Sequence, residues 1–301
     1  MTFDKFTNRI TLRGQLSAET GLHIGVGGSS LDPSATDSPV IRDAAGRPFI
    51  PGSSFKGAFR AHLESLVRGL DRSDLSACDP LADPCIPNKQ QNGKLGIEQL
   101  KAEAEQDATE NGRPNRARYD ELLTEKILAQ SCDVCRLFGS PWLSSHLMIK
   151  DLFVDPEWWV GRVELRDGVG IDRDTETARQ GVKYDFEVVP ASTRFNLEIV
   201  AENANDELLG LLAIGLRELE QGRVALGGKT TRGLGGVRLE LRELEVVGDE
   251  LADILDGEGS ADLVEYLISG KGKILRAKEL REYLNEKVKT FAAAKLQRRA
   301  E

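Results

Sequence analysis

From Asn8 to Leu16, Ile10, Leu12 and Leu16 alternate with polar neighbours, the period-two pattern of a strand with one buried face. The period then changes. From about Ser53 to Gly69, Phe55, Phe59, Leu63, Leu66 and Val67 recur at helical spacing, with serines near the start and a glycine near the end. Strand-like runs follow at 146–154, 184–189 and 193–200, the last alternating Phe195, Leu197 and Ile199. A second helix over about 205–220 carries Leu208, Leu209, Leu212, Leu216 and Leu219, and short apolar stretches at 224–226 and 237–241 close the series. With the interrupting segments set aside, the order is strand, helix, strand, strand, helix, strand. This is the split βαβ plan of ferredoxin-like and RNA-recognition-like domains, so an α+β fold is expected. Such a fold hosts many functions and by itself proves none.

Two segments interrupt the core. One, over 71–130, is polar, contains proline, asparagine and glycine, and includes a Glu-rich helical stretch; the other, over 165–181, is charged and has no core face. The tail over 272–300 places Ile274, Ala277, Leu280, Leu284, Val288 and Phe291 on one stripe, as in an amphipathic helix. The expected division is a core over 1–249, with an insertion at 71–136, followed by a helical segment over 250–301.

Composition sets limits on this picture. At 301 residues and 40% hydrophobic, the chain can bury a sizeable core. It has no apolar run of about 18 residues, and its start lacks a signal-peptide layout, so a cytoplasmic location without a membrane partner is expected. A net charge of −9 argues against sequence-blind polyanion binding. The charge is uneven, however: Asp249, Glu250, Asp253, Asp256, Glu258, Asp262 and Glu265 load one segment, and Arg162, Arg166, Arg173, Arg179 and Lys183 another. Local patches decide binding.

Four cysteines form two pairs, Cys78 with Cys85 and Cys132 with Cys135. A Cys-x-x-Cys turn presents two thiolates to one tetrahedral ion and a second pair completes the set, which favours structural zinc over free thiols. A redox pair made by Cys132 and Cys135 alone is the alternative, and His146 is a reserve ligand. At the start of the first helix, Gly52, Ser53 and Ser54 offer free amides and the positive end of the helix dipole to a phosphate. Lys56 and Arg60, one turn apart, extend that anion-binding face.

The run from Gly227 to Gly236 is a glycine-rich loop bearing Lys229 and Arg232. Its Gly-Lys-Thr is not a nucleotide-binding P-loop, because Arg223 stands where that motif needs glycine and a strand, not a helix, follows. What remains is a backbone that can approach a phosphodiester closely, or a plain tight connection. His23, inside an apolar run, is either a general base at an RNA site or a hydrogen-bonded structural group.

Five motifs occur in order: Gly21-Leu22-His23-Ile24-Gly25, Asp37-Ser38-Pro39-Val40-Ile41-Arg42-Asp43, Ile50-Pro51-Gly52-Ser53-Ser54-Phe55-Lys56-Gly57, Cys135-Arg136-Leu137-Phe138-Gly139 and Arg232-Gly233-Leu234-Gly235. Together they resemble RAMP-superfamily backbone subunits of type III CRISPR effector complexes, of the Csm/Cmr kind. The resemblance covers about Thr7 to Gly69 and Cys132 to Val237.

It implies that copies of the chain or close paralogues, with other RAMP subunits, stack along a guide RNA and face a target RNA. It implies too that a thumb β-hairpin, here about 162–190, wedges the duplex, with Ile171 as the wedge and Arg173 on a phosphate. The cutting aspartate of the family falls on Asp37, with Asp32 as its rival. The implied reaction is in-line attack by the neighbouring ribose 2′-hydroxyl, assisted by magnesium or another divalent ion. On this reading His23, Gly52, Ser53, Ser54, Lys56, Arg60, Ile171, Arg173, Lys229 and Arg232 bind RNA, and the insertion carries structural zinc on Cys78, Cys85, Cys132 and Cys135. Two other readings stay open: a non-catalytic RNA-binding scaffold, and a ribonuclease that processes the guide precursor with His23 as base. Asp37 before Ser-Pro is also an ordinary turn former.

Overall fold

The computed structural model describes residues 4–25, 36–70, 75–110, 113–248 and 266–295. Asp32 and the acidic run from Asp249 to Glu265 lie outside them. In chain order the strands and α-helices are β1 (Asn8–Ala18), β2 (Phe49–Ile50), α1 (Gly52–Gly69), α2 (Ile97–Asp107), β3 (Thr109–Glu110), β4 (Arg113–Pro114), α3 (Arg116–Gln130) and α4 (Asp133–Phe138). They continue with β5 (Leu147–Ile149), β6 (Leu152–Phe153), β7 (Glu164–Ile171), β8 (Ala178–Val188), β9 (Arg194–Glu202), α5 (Asp206–Glu220), β10 (Val237–Gly248), β11 (Lys273–Arg276) and α6 (Ala277–Lys295).

The central sheet runs β11-β10-β1-β9-β5, with every pairing antiparallel. Without β11, its strands stand in the order fourth, first, third, second, as the split βαβ plan requires. The alternation in β1 explains why one face is covered: Ile10, Leu12 and Leu16 point into a core filled by Phe55, Phe59 and Leu63 of α1 and Leu212, Leu216 and Leu219 of α5. On the opposite face Arg13 is held by Glu198, Glu243 and Glu245 at 3.0–3.1 Å. The register of β1 on β10 shifts between Arg13 and Gly14, where a Cβ would stand 2.5 Å from the Glu240 carbonyl oxygen.

Three details depart from the sequence pattern. The run at 146–154 is two strands in different sheets: β5 pairs with β9, and β6 pairs with β2. The turn between them aims Asp151 at the start of α1. The hairpin of β7 and β8 is longer than its apolar stretch, because backbone pairing carries it where no core exists to impose alternation. The C-terminal segment is not all helix: Ile274 and Leu275 lie on β11, which pairs with β10. Helix α6 then packs Leu280, Tyr283 and Phe291 inward, and its buried Lys287 pairs with Asp206 of α5. No helix among the described residues is long and apolar enough to cross a membrane.

Helices α5 and α6 approach closely at Gly210, where a Cβ would stand 2.4 Å from Phe291 Cβ and 2.5 Å from the Lys287 carbonyl oxygen. Gly210→Ala is expected to destabilise the fold by about 1–3 kcal/mol in denaturant titration, although alanine is the better helix former by about 1 kcal/mol.

Candidate functional site

The Gly21–Gly25 segment makes backbone bonds to three other parts of the chain. Leu22 exchanges amide–carbonyl bonds with Val189 at the end of β8 (2.9 and 2.8 Å), and Ile41 N donates to Ile24 O (2.9 Å). Gly228 N donates to His23 O (2.9 Å) and Gly235 N to Gly21 O (2.8 Å). The Asp37 segment, the root of the β7–β8 hairpin and the glycine-rich loop are thereby gathered on one short stretch. Gly227 is required there: its φ is +77°, and a Cβ would lie 2.2 Å from His23 O.

The Asp37 segment is also laced to β8. Asp37 N donates to Asp185 Oδ1 (2.8 Å), and Asp185 N donates to Asp37 Oδ2 (3.1 Å). Glu187 N donates to Ser38 O (3.0 Å), while the Glu187 carboxylate accepts from Val40 N (3.0 Å) and pairs with Arg42 (2.9 Å). Beside this seam Lys229 Nζ lies 4.5 Å from the Phe186 ring centroid and 5.3 Å from that of Tyr184, and Arg232 bonds the Tyr184 hydroxyl. An exposed carboxylate therefore lies against the same strand whose aromatic side chains carry the two cations. The sequence pattern marks Tyr184 to Val189 only as a strand; the contact roles of Tyr184, Asp185 and Glu187 depend on partners 48, 148 and 147 residues away, which no local signal carries.

Several expected site residues take other places. His23 is buried, its Nδ1 2.7 Å from Glu187 O and its Nε2 3.3 Å from Ser38 Oγ. Both ring nitrogens therefore have partners within the protein, as a hydrogen-bonded structural group requires. Lys56 and Arg60 turn inward instead of forming an outward face. Lys56 Nζ donates to Ser145 Oγ (2.7 Å) and Leu147 O (3.2 Å), and burial, with the charge of Arg60, lowers its pKa. Arg60 pairs with Glu64 (2.7 Å) and donates to Gly139 O (2.9 Å) and Cys135 Sγ (3.3 Å). The Gly52 amide donates to Asp151 Oδ1 (2.8 Å), so a carboxylate already caps the start of α1; Ser53 and Ser54 remain exposed. Ile171, 58% exposed, ends β7, and Arg173 sits in the turn beyond it, ordered by Asp172, which accepts from the amides of Asp174 and Thr175.

The four cysteines meet. Sγ atoms of Cys78, Cys85, Cys132 and Cys135 all lie within 4.8 Å of one another, close to the ~3.8 Å edge of a tetrahedron with metal–sulfur bonds of about 2.3 Å. Amides of Cys135 and Cys78 donate to Cys132 Sγ and that of Cys132 to Cys85 Sγ, bonds that suit thiolates. At Cys78, the contact with Cys132 pushes the thiol up, but those with Cys135 and Cys85 together pull harder and bring it down to about 7. The donor set fits a metal ion such as zinc. His146 is not part of it: it is buried at the sheet edge with Nδ1 2.7 Å from Glu202 O, and burial lowers its pKa.

This is an antiparallel split-βαβ domain with a four-sulfur centre, a projecting hairpin and a cation-bearing glycine loop at the hairpin root. The RAMP superfamily model matches residues 15–238, and the chain belongs to that superfamily. It is similar to proteins named CRISPR system Cms endoribonuclease Csm3. That of Methanocaldococcus jannaschii is 28% identical over 79% of this chain and 81% of the relative. Those of Methanothermobacter thermautotrophicus and Enterococcus italicus are 25% and 27% identical over 80% of this chain, covering 87% and 95% of the relatives.

If the four sulfurs hold one ion, elemental analysis finds one equivalent of a thiophilic metal per chain. Chelation then lowers the melting temperature, and Cys132→Ala abolishes retention of the metal.

Proposed function

We propose that this chain is a guide-RNA-binding backbone subunit of a type III CRISPR effector complex, and that it cuts complementary target RNA with Asp37. Superfamily membership and relatives named as Csm3 endoribonucleases support the class. The observation that carries the residue assignment is the placement of Asp37: an exposed carboxylate fixed against the hairpin root, on the strand whose Tyr184 and Phe186 carry Lys229 and Arg232.

In this reading Lys229 and Arg232 hold phosphates on either side of the reacting ribose, and the hairpin tip with Ile171 and Arg173 meets the guide–target duplex. The 2′-oxygen loses its proton and attacks the adjacent phosphorus as the bond to the 5′-oxygen breaks and that oxygen takes up a proton, leaving a cyclic phosphate. Asp37 fits a hard divalent ion such as magnesium: Oδ2 is oriented by Asp185 N, and Oδ1 accepts no other bond among the described residues. Such an ion, when bound, would neutralise charge developing on the phosphate. Zinc at the four cysteines braces the insertion, and neighbouring copies or paralogous subunits continue the RNA groove. A scaffold without activity remains the alternative, and Asp37 decides between them.

Asp37→Ala in the assembled complex is expected to reduce target cleavage by about 10²-fold or more with RNA binding retained; unchanged cleavage overturns the assignment. Lys229→Ala and Arg232→Ala should each weaken RNA binding and lower the slope of log affinity against log salt by about 0.7–0.9, measured by salt titration.

A further inference from the structure

The Asp37–Asp185 contact is reciprocal. Each aspartate gives its backbone amide to the other's carboxylate, at 2.8 and 3.1 Å, although the residues are 148 positions apart and belong to different structural units. One is the segment before Val40, and the other is the root strand of the projecting hairpin. The remaining seam bonds enter on the far side of Asp37: Ser38 bridges Phe186, and Val40 and Arg42 bond Glu187. Among the described residues Asp37 is therefore the outermost of the laced segment, and its own amide is held by a side-chain acceptor, Asp185 Oδ1. Two like charges are kept close to make this arrangement, which costs energy in the absence of a cation.

We infer that Asp185 is a positioning residue for target cleavage: its carboxylate oxygen anchors the Asp37 amide and so fixes the direction in which the Asp37 carboxylate faces the groove. The inference rests on the reading of Asp37 as the cutting residue. Asp185 acts through an acceptor oxygen, so its charge is dispensable for this role and its oxygen is not. The hairpin root and the cutting residue are then one mechanical unit, and the angle of the hairpin on the duplex and the aim of the carboxylate are set together.

The test uses the whole effector complex with a labelled complementary RNA under single-turnover conditions. Three variants are compared with the natural chain: Asp185→Ala, Asp185→Asn and Asp37→Ala. Asparagine keeps an acceptor oxygen for the Asp37 amide, whereas alanine removes it. The expected result is a tenfold or greater fall in the cleavage rate for Asp185→Ala, with RNA affinity and melting temperature unchanged, and recovery to within threefold of the natural rate for Asp185→Asn. Cleavage at the natural rate in Asp185→Ala overturns the inference. Equal loss in Asp185→Asn and Asp185→Ala overturns it too, since the charge and not the acceptor would then matter. If Asp37→Ala cleaves normally, the reading of Asp37 itself fails; if it is inactive while Asp185→Ala is not, only the role of Asp185 falls.

Discussion

Five residues, Gly21 to Gly25, hold the candidate site together, and they do so almost entirely with backbone hydrogen bonds. Their amides and carbonyls reach Val189, Ile41, Gly228 and Gly235, so three loops distant in sequence share one rigid reference. The side chains are selected to let this happen. Gly21 has no Cβ because one would stand 2.5 Å from Val188 Cγ1, and His23 fills the junction with a ring satisfied at both nitrogens. A buried polar ring is costly when unpaired and specifies geometry when fully paired, and here it pins Ser38 and Glu187 to one another. Loss of one bond in such a network leaves its partners buried without compensation, so the site should tolerate change poorly at these interior positions.

The insertion is tied to the core by a comparable logic of fixed partners. Arg60 of α1 reaches Glu64, the Gly139 carbonyl and the Cys135 sulfur together, so the helix that fills the core also carries the cysteine centre. From the other side Lys295 at the end of α6 pairs with Asp133 (3.1 Å), the residue between the ligand-bearing positions, and with Glu207 (3.3 Å). Asp133 also accepts from Ser76 N (3.0 Å). Lys56 and Arg60 of α1 are thus engaged within the protein, while Lys229 and Arg232 of the glycine loop lie against the aromatic side chains of β8.

How much of this could be read along the chain depends on which interactions are local. Strand β1 and helices α1 and α5 are legible because each has a continuous buried face, and a buried face writes its period into the sequence. Cysteine spacing was equally informative, since four thiols have few uses together. The inward bonds of Lys56 and Arg60 are not legible, because helical spacing gives their shared face but not whether that face meets solvent or the core. The hairpin is solvent-exposed, with Leu165, Val169 and Ile171 open, so no burial pattern bounded it, and β11 is too short to show a period. The seam between the Asp37 segment and β8 is a long-range pairing through an acidic side chain, invisible to any window.

An acidic chain proposed to hold RNA poses an electrostatic problem, which the distribution of its ion pairs addresses. Glu198, Glu243 and Glu245 are gathered around Arg13, with Lys150 also on Glu198 and Arg276 on Glu243, and Glu187 is held by Arg42. Paired carboxylates present dipoles, whose fields fall off faster than those of bare charges. At physiological salt the screening length is about 8 Å, so a phosphate in the proposed groove responds to the charges immediately around it, and hardly to the total of −9. Two cations beside two carboxylates nearly cancel in net charge. On the proposed reading, affinity at this place comes from geometry repeated along the strand by successive subunits, and the exposed Asp37 carboxylate is the group left to attract a cation beside the phosphate.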